Sequence, residues 1–366
     1  MFATYTYHRA AVLAAGLFTF GALFALAGQP MQATAPASLW RHDNLVAWTV
    51  VPFDAKTRGP EERAQMLQNL GFKHFAYDWR DKDIPAFDAE IEAIQKHGID
   101  LLGWWFPFDA GDPRAKATLE VFKPHNIRPQ LWVPQSFSDF PKTPEEWAKL
   151  LPKGVVMPKT AEEAEKLSAA AKAALQEQTH KIVIRLMRDS LTKTPQEQHP
   201  RVLKEADRIH ALVKLAAPYG SKVELYNHNG WFGMVDNQVA IIERLKELGV
   251  TDVGIVYNFS HARDDLHDDT LDFPSLWKKI RPYVVVVNIT GMRTDGDIIY
   301  PSQGDCELDM MRTIERSGWQ GPIGLIAEKG GDAQITLRNY ITGLDWLAAE
   351  LKRTGSGGPR PFPRVP

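Results

Sequence analysis

The chain is predicted to be an α/β protein, a (β/α)8 TIM barrel with a helical insertion after strand four and an N-terminal signal peptide. Three observations carry that reading. Eight short apolar runs alternate with eight helical patterns along the 366 residues. The runs, above all the four valines at 284–287, do not alternate with polar residues, so both faces of each strand are covered, as in a parallel sheet wrapped by helices. Asn, His and carboxylate residues follow several of the runs directly, and parallel α/β sheets gather their ligands at the C-terminal strand ends.

Residues 1–38 stand apart from the barrel. His8 and Arg9 precede an apolar run at 10–27, no acidic residue occurs before Asp43, and small residues follow at 33–37. This is the pattern of a secretory signal peptide, so the protein is expected to be exported, periplasmic or extracellular. Left uncleaved, a run of ~18 to 20 apolar residues is also just long enough to anchor in a bilayer. A membrane partner is expected only in that case. Cys306 is the sole cysteine, which excludes both a lipid-modified leader cysteine and an intramolecular disulfide.

The barrel is expected over 39–353. Its strands are read at 45–51, 73–77, 99–105, 128–133, 222–226, 253–257, 283–288 and 322–327. Helices are read between and after them, at 60–70, 86–97, 113–122, 202–217, 237–248, 273–280, 308–317 and 332–352. In the last, Leu337, Ile341, Leu344, Ala348 and Leu351 fall on one stripe, with Asp332 placed as N-cap. Ile241, Leu245 and Leu248 repeat the pattern earlier. The rhythm breaks at 136–200, where Pro-rich turns, a Thr160-Ala161-Glu162-Glu163 start resembling a capping box and an Ala-, Glu- and Lys-rich run intervene. This segment is expected to be an insertion at the C-terminal end of the barrel, either a solvated helical excursion or a lid. Residues 354–366, rich in Gly and Pro, read as a disordered tail.

Length alone would suit two domains, yet one barrel with a leader and an insertion fills it. Hydrophobic residues at 44% and charged residues at 24% are ordinary for a globular chain. A net charge of -2 without a basic block argues against nucleic acid as a partner. A doubly wound open sheet is the alternative architecture, but Val51-Pro52-Phe53-Asp54 after the first strand lacks the glycines that a dinucleotide pyrophosphate needs. No NAD is expected.

The strand ends supply the candidate site. Tyr226-Asn227-His228-Asn229-Gly230-Trp231 follows strand five, Tyr257-Asn258-Phe259-Ser260-His261 follows strand six, and Asn288 closes the valine run. Strand two ends in Tyr77-Asp78-Trp79-Arg80, strand three in Trp104-Trp105-Phe106, and strand four carries Trp132. Indole faces stack on the C–H faces of sugar rings, so Trp79, Trp105 and Trp132 are candidate platforms for a carbohydrate; each also suits simple packing under a helix. His228 sits among turn residues rather than core residues, which favours a site role over a buried structural one. Asn258 and His261 share a loop with Arg263, Asp264, Asp265 and His267, a run that also reads as a solvated loop. Glu328, after strand eight and ahead of Gly330-Gly331, offers a carboxylate for proton transfer.

On these residues the chain resembles the xylose isomerase-like barrels, the superfamily of sugar isomerases, sugar epimerases and zinc-dependent abasic-site endonucleases. The blocks that carry the resemblance are Leu225 to Gly230, Val253 to Asn258 with His261, and Gln303-Gly304-Asp305 leading into Gly321 to Glu328. More narrowly, the chain is similar to secreted bacterial proteins of the sugar phosphate isomerase/epimerase-like kind. The resemblance spans about 43–352, with the insertion unmatched. It implies a divalent metal (Mn, Mg or Zn) held by glutamate, aspartate, histidine and glutamate at four strand ends. Here those positions read Tyr226, Asn258, Asn288 and Glu328, and His261 matches a substrate-contacting histidine.

The expected activity is isomerisation or epimerisation of a monosaccharide or derivative by proton transfer next to a carbonyl. Glu328 or Asp78 would act as base, His228 and His261 would shuttle protons, and Trp79, Arg80, Trp105, Trp132, Asn227, Asn258 and Asn288 would bind substrate. Two alternatives stay open: a non-catalytic carbohydrate-binding barrel, and a glycoside hydrolase using Asp78 and Glu328 as its carboxyl pair. The sugar and its phosphorylation are not read from the sequence. No Gly-rich phosphate cradle stands out.

Overall fold

The computed structural model describes residues 38–134, 141, 143–191, 195–228, 230–262, 272–292, 298–352 and 357–365. The expected leader lies outside them.

Eight parallel strands close into a barrel in sequence order. They are β1 (Leu45–Trp48), β2 (His74–Tyr77), β3 (Asp100–Trp105), β4 (Gln130–Val133), β5 (Val223–Tyr226), β6 (Gly254–Asn258), β7 (Val284–Ile289) and β8 (Ile323–Ile326). Closure is made by β8 against β1, with Leu45 paired to Ile323 and Trp48 to Ile326. All eight expected runs are strands, and the barrel is the expected (β/α)8 architecture. The first strand stops at Trp48, not at Val51, because Thr49 turns the chain with φ of 54°. That conformation is costly for a β-branched residue, and it is held by Thr49 Oγ1, which accepts the Ala327 amide across the barrel seam at 3.1 Å.

The outer helices are α1 (Pro60–Asn69), α2 (Phe87–Lys96), α3 (Pro113–His125), α4 (Pro144–Ala148), α5 (Ala161–Lys166), α6 (Ala169–Leu191), α7 (Pro195–Ala216), α8 (Val235–Glu247), α9 (Phe259–Ala262), α10 (Phe273–Ile280), α11 (Glu307–Arg316) and α12 (Ala333–Lys352). Local signals start them. Asp112 caps α3 and Asp272 caps α10 by accepting backbone amides, each with proline in the first turn where a missing N–H costs nothing. Asp332 accepts the Gln334 amide at 3.0 Å as the expected cap of α12. Leu337 and Leu344 on that helix are fully buried against the barrel.

Helices α4 to α6 and the start of α7 occupy the segment between β4 and β5. Thr160 caps α5 through the Glu163 amide at 3.1 Å, but the Glu163 carboxylate reaches the Lys159 amide at 2.7 Å and not the Thr160 amide of a full capping box. Helix α7 starts at Pro195, ahead of the expected 202, and it rests on the rim: the Arg201 guanidinium lies 4.3 Å over the Trp231 ring and that of Arg208 lies 4.6 Å over Phe108.

Residues 357–365 differ from the expectation of a disordered tail. The Arg360 guanidinium stacks 4.7 Å from Trp346, Phe362 lies 5.3 Å from Tyr300, and the Trp346 indole N–H donates to the Gly358 carbonyl at 3.1 Å. Composition shows the glycines and prolines but not the aromatic partners waiting on the barrel.

The barrel interior on the β1 to β5 side is filled with aromatic rings. Trp48 and Trp132 meet edge to face at 4.7 Å, Trp48 and Tyr226 lie 5.8 Å apart, and Trp105 lies 5.1 Å from Tyr226. Trp132 fits because residue 103 is glycine: a Cβ there would stand 2.6 Å from the indole.

Candidate active site

Two groups of side chains meet at the C-terminal ends of the strands. The first is neutral and hydrogen-bonded. Tyr226, the last residue of β5, turns its hydroxyl inward, where it accepts from the Trp48 indole N–H at 3.0 Å, from Asn258 Nδ2 at 2.7 Å and from Asn288 Nδ2 at 3.4 Å. Asn258 is oriented by Ser260, whose amide and hydroxyl both donate to Asn258 Oδ1, at 3.0 and 2.9 Å. Asn227 staples β5 to β6: its Nδ2 donates to the Asn258 carbonyl at 3.1 Å and its Oδ1 accepts the Asn258 amide at 2.7 Å. Asn288 is fully buried, and its Oδ1 has no hydrogen-bond partner among the described residues. That oxygen occupies the space of a missing side chain on β8, since a Cβ at Gly324 would lie only 1.7 Å from it.

The second group is charged. Asp78 follows β2, is buried, and forms an ion pair with Arg80, which also donates to the Trp79 carbonyl at 2.8 Å. Burial pushes the Asp78 carboxyl up to about 6, against the lowering pull of Arg80. Glu328 follows β8, half-buried. Desolvation raises its carboxyl above the ordinary glutamate range, and the negative charge of Asp78 adds to that rise while Arg80 opposes it. Among the described residues Glu328 makes no hydrogen bond or ion pair.

The histidines lie between the two groups. The rings of His228 and His261 are 4.7 Å apart, and each stands about 6 Å from the Tyr226 ring, at 6.3 and 6.0 Å. Burial, aided by the positive charge of Arg80, pushes the His228 imidazole down to about 4. It is therefore neutral at neutral pH.

A cleft of about 760 Å³ opens beside these residues, lined by His228, Trp105, Trp79, Arg80, Lys82 and Arg114 among others. Of the three tryptophans expected to face substrate, Trp105 is half-buried, its ring centred 6.1 Å from that of His228. Trp79 borders the cleft but is mostly buried, its indole N–H donating to the Trp105 carbonyl at 2.7 Å. Trp132 is a core residue: it is fully buried, and its N–H donates to Gln130 Oε1 at 2.9 Å. The amides of Asn227 and Asn258 are likewise committed to internal partners. Asp78, Arg80, Glu328, His228 and His261 are brought together; Asn229, Arg263, Asp264, Asp265 and His267 lie outside the described residues.

The donor set does not fit a hard divalent cation, which needs several oxygen lone pairs converging on one point. At the β5, β6 and β7 ends the inward atoms are a phenol oxygen already ringed by N–H groups and two amide nitrogens. Asn258 cannot reverse its amide without losing both bonds from Ser260. No three His, Cys, Asp or Glu side chains among the described residues are placed to share an ion.

No protein-family profile and no curated protein matches the chain. Among solved structures, an IolI protein with a bound zinc atom superposes with a TM-score of 0.51 at 13% identity, covering 84% of this chain and 98% of that one. What the two share is the fold, a closed barrel of eight parallel strands. A xylose isomerase domain protein from Alicyclobacillus acidocaldarius (TM-score 0.48, 14% identity, 85% of this chain and 99% of that one) and an L-ribulose 3-epimerase (0.48, 11%, 87% and 99%) lie further out. At such identities the likeness is one of fold.

Two members of the site escaped the sequence reading. Trp48 was hidden because the first strand was read three residues too long, which put its end at Val51. Tyr226 was read as a lost ligand, although a phenol closing an apolar strand two residues before His228 points into the barrel by the strand's alternation.

Proposed function

We propose that this protein is a sugar isomerase or epimerase, acting on a monosaccharide or a derivative by proton transfer next to a carbonyl. One observation carries the reading: Glu328 holds a half-buried carboxyl, raised by desolvation and without a partner among the described residues, at the strand ends where the two imidazoles and the Asp78–Arg80 pair meet. A carboxylate in that condition is a base poised for a weak carbon acid. Asp78, tied to Arg80, is less free for that task and helps set the proton affinity of Glu328. His228 and His261 relay the proton to the opposite face or to the neighbouring carbon. The half-buried face of Trp105 suits the apolar side of a sugar ring, and Arg80 and Lys82 at the cleft suit its hydroxyls or an acidic substituent. The sugar-processing barrels of the same fold support this reading. The apolar leader supports export, where free sugars outnumber sugar phosphates.

The test is a panel of aldoses, ketoses and sugar acids incubated with the protein in deuterated water. At least one is expected to gain carbon-bound deuterium, and to do so far more slowly with His228→Ala at similar sugar affinity. Binding with no deuterium in any sugar would favour the carbohydrate-binding alternative.

A further inference from the structure

The Tyr226 hydroxyl is an oxygen enclosed by N–H groups. Trp48, Asn258 and Asn288 all donate to it, at 3.0, 2.7 and 3.4 Å, and no described residue accepts its own proton. Three donors around one oxygen favour the phenolate over the phenol, the arrangement by which an oxyanion is stabilised in a dry site. Burial acts oppositely and raises the phenol above its ordinary value, so Tyr226 keeps its proton at neutral pH. The Tyr226 ring lies 5.1 Å from that of Trp105 and 6.3 Å from that of His228, two residues that line the cleft, and 6.0 Å from that of His261, and it feels the charge of Glu328.

We propose that Tyr226 is the catalytic acid of this site, its O–H donating to the carbonyl oxygen of the bound sugar while Glu328 takes the proton from the adjacent carbon, with no metal ion required. The inference rests on the isomerase or epimerase reading. The C–H electron pair becomes the new C=C bond, the carbonyl π pair moves to oxygen, and that oxygen takes the phenolic proton to give a neutral enediol. The phenolate left behind is held by the three N–H donors. Reprotonation at carbon runs the electrons back, and the enediol O–H returns its proton to Tyr226.

The experiment compares wild-type protein with Tyr226→Phe, both dialysed against EDTA, for deuterium incorporation and for KM with the sugar that exchanges. Removing the acid is expected to slow exchange by about 100-fold or more with KM changed by less than about threefold. EDTA is expected to leave the wild type active. Near-normal exchange in Tyr226→Phe overturns the role of Tyr226 and leaves the isomerase reading intact. Exchange that EDTA abolishes and Mn²⁺ restores also overturns it. A wild type that exchanges no sugar overturns the isomerase reading and this role together. Thermal unfolding checks that the variant folds. If it does not, global replacement of tyrosine by 3-fluorotyrosine preserves the shape and acidifies the phenol; the basic limb of kcat then moves to lower pH, and an unmoved limb overturns the role.

Discussion

The arc from β5 to β7 and the arc from β8 to β2 use the same strand ends in opposite ways. In the first, Tyr226, Asn227, Asn258 and Asn288 are buried and neutral, and their polar atoms are matched to one another with the exception of Asn288 Oδ1. In the second, Asp78, Arg80 and Glu328 carry charge, and Glu328 makes no contact that neutralises it among the described residues. Satisfied amides rigidify a barrel, whereas a carboxylate left without a partner in a partly dry mouth is costly for the fold and useful only to a ligand. The difference separates a scaffold that positions one phenol from a rim that carries the proposed base.

That contrast is broken most directly at Glu328. Glu328→Gln removes the base but no interaction of the fold, so deuterium exchange is expected to fall by about 10²- to 10⁴-fold while the thermal midpoint stays nearly unchanged. Equal exchange by wild type and variant would move the base elsewhere. The neutral arc is sharpened at Glu224, two residues below Tyr226 on β5. Its carboxyl accepts the Gly254 amide at 2.6 Å, and burial pushes it up to about 8. Between 4.5 and about 8 the unfolded chain has lost this proton and the native one keeps it, so stability falls as pH rises through that window. Asp78, raised to about 6, contributes the same sign at lower pH, and His228, lowered to about 4, contributes stability lost as pH falls below 6.5. Unfolding free energies from urea at pH 6.5 and 8 read Glu224 by difference: between these pH values the wild type is expected to lose about 1 to 2 kcal/mol more than Glu224→Gln, and equal losses would contradict the raised carboxyl. The smallest effect concerns coupling within the charged arc. The charge of Asp78 raises Glu328, so Asp78→Asn is expected to shift the acid limb of the exchange rate to lower pH by a fraction of a unit; a shift to higher pH would contradict the placement.

Much of this was legible in the residues themselves. The valines at 284–287 announced a strand buried on both faces, and Asp332 and Thr160 marked helix starts, because periodicity and capping are local. The carboxylates and imidazoles at the strand ends were legible too, since a parallel barrel brings such positions to one rim. Trp132 and Trp105 show where local signals stop. Both sit at the C-terminal ends of neighbouring strands, yet Trp132 turns into a space left by Gly103 and is sealed in the core, while Trp105 is left half-open beside His228. Residues 357–365 show it again: their anchors, Trp346 and Tyr300, lie on other elements.

By itself the sequence determined the barrel, its strand order and the set of polar groups at its mouth, because strand and helix periods and the chirality of their connections depend on neighbours along the chain. The tertiary structure alone decided which of those groups remain open to chemistry. Partners such as Tyr226 and Asn258, 32 positions apart, are chosen by closure of the sheet, and only closure shows that the asparagines hold a phenol while Glu328 has no hydrogen bond or ion pair among the described residues.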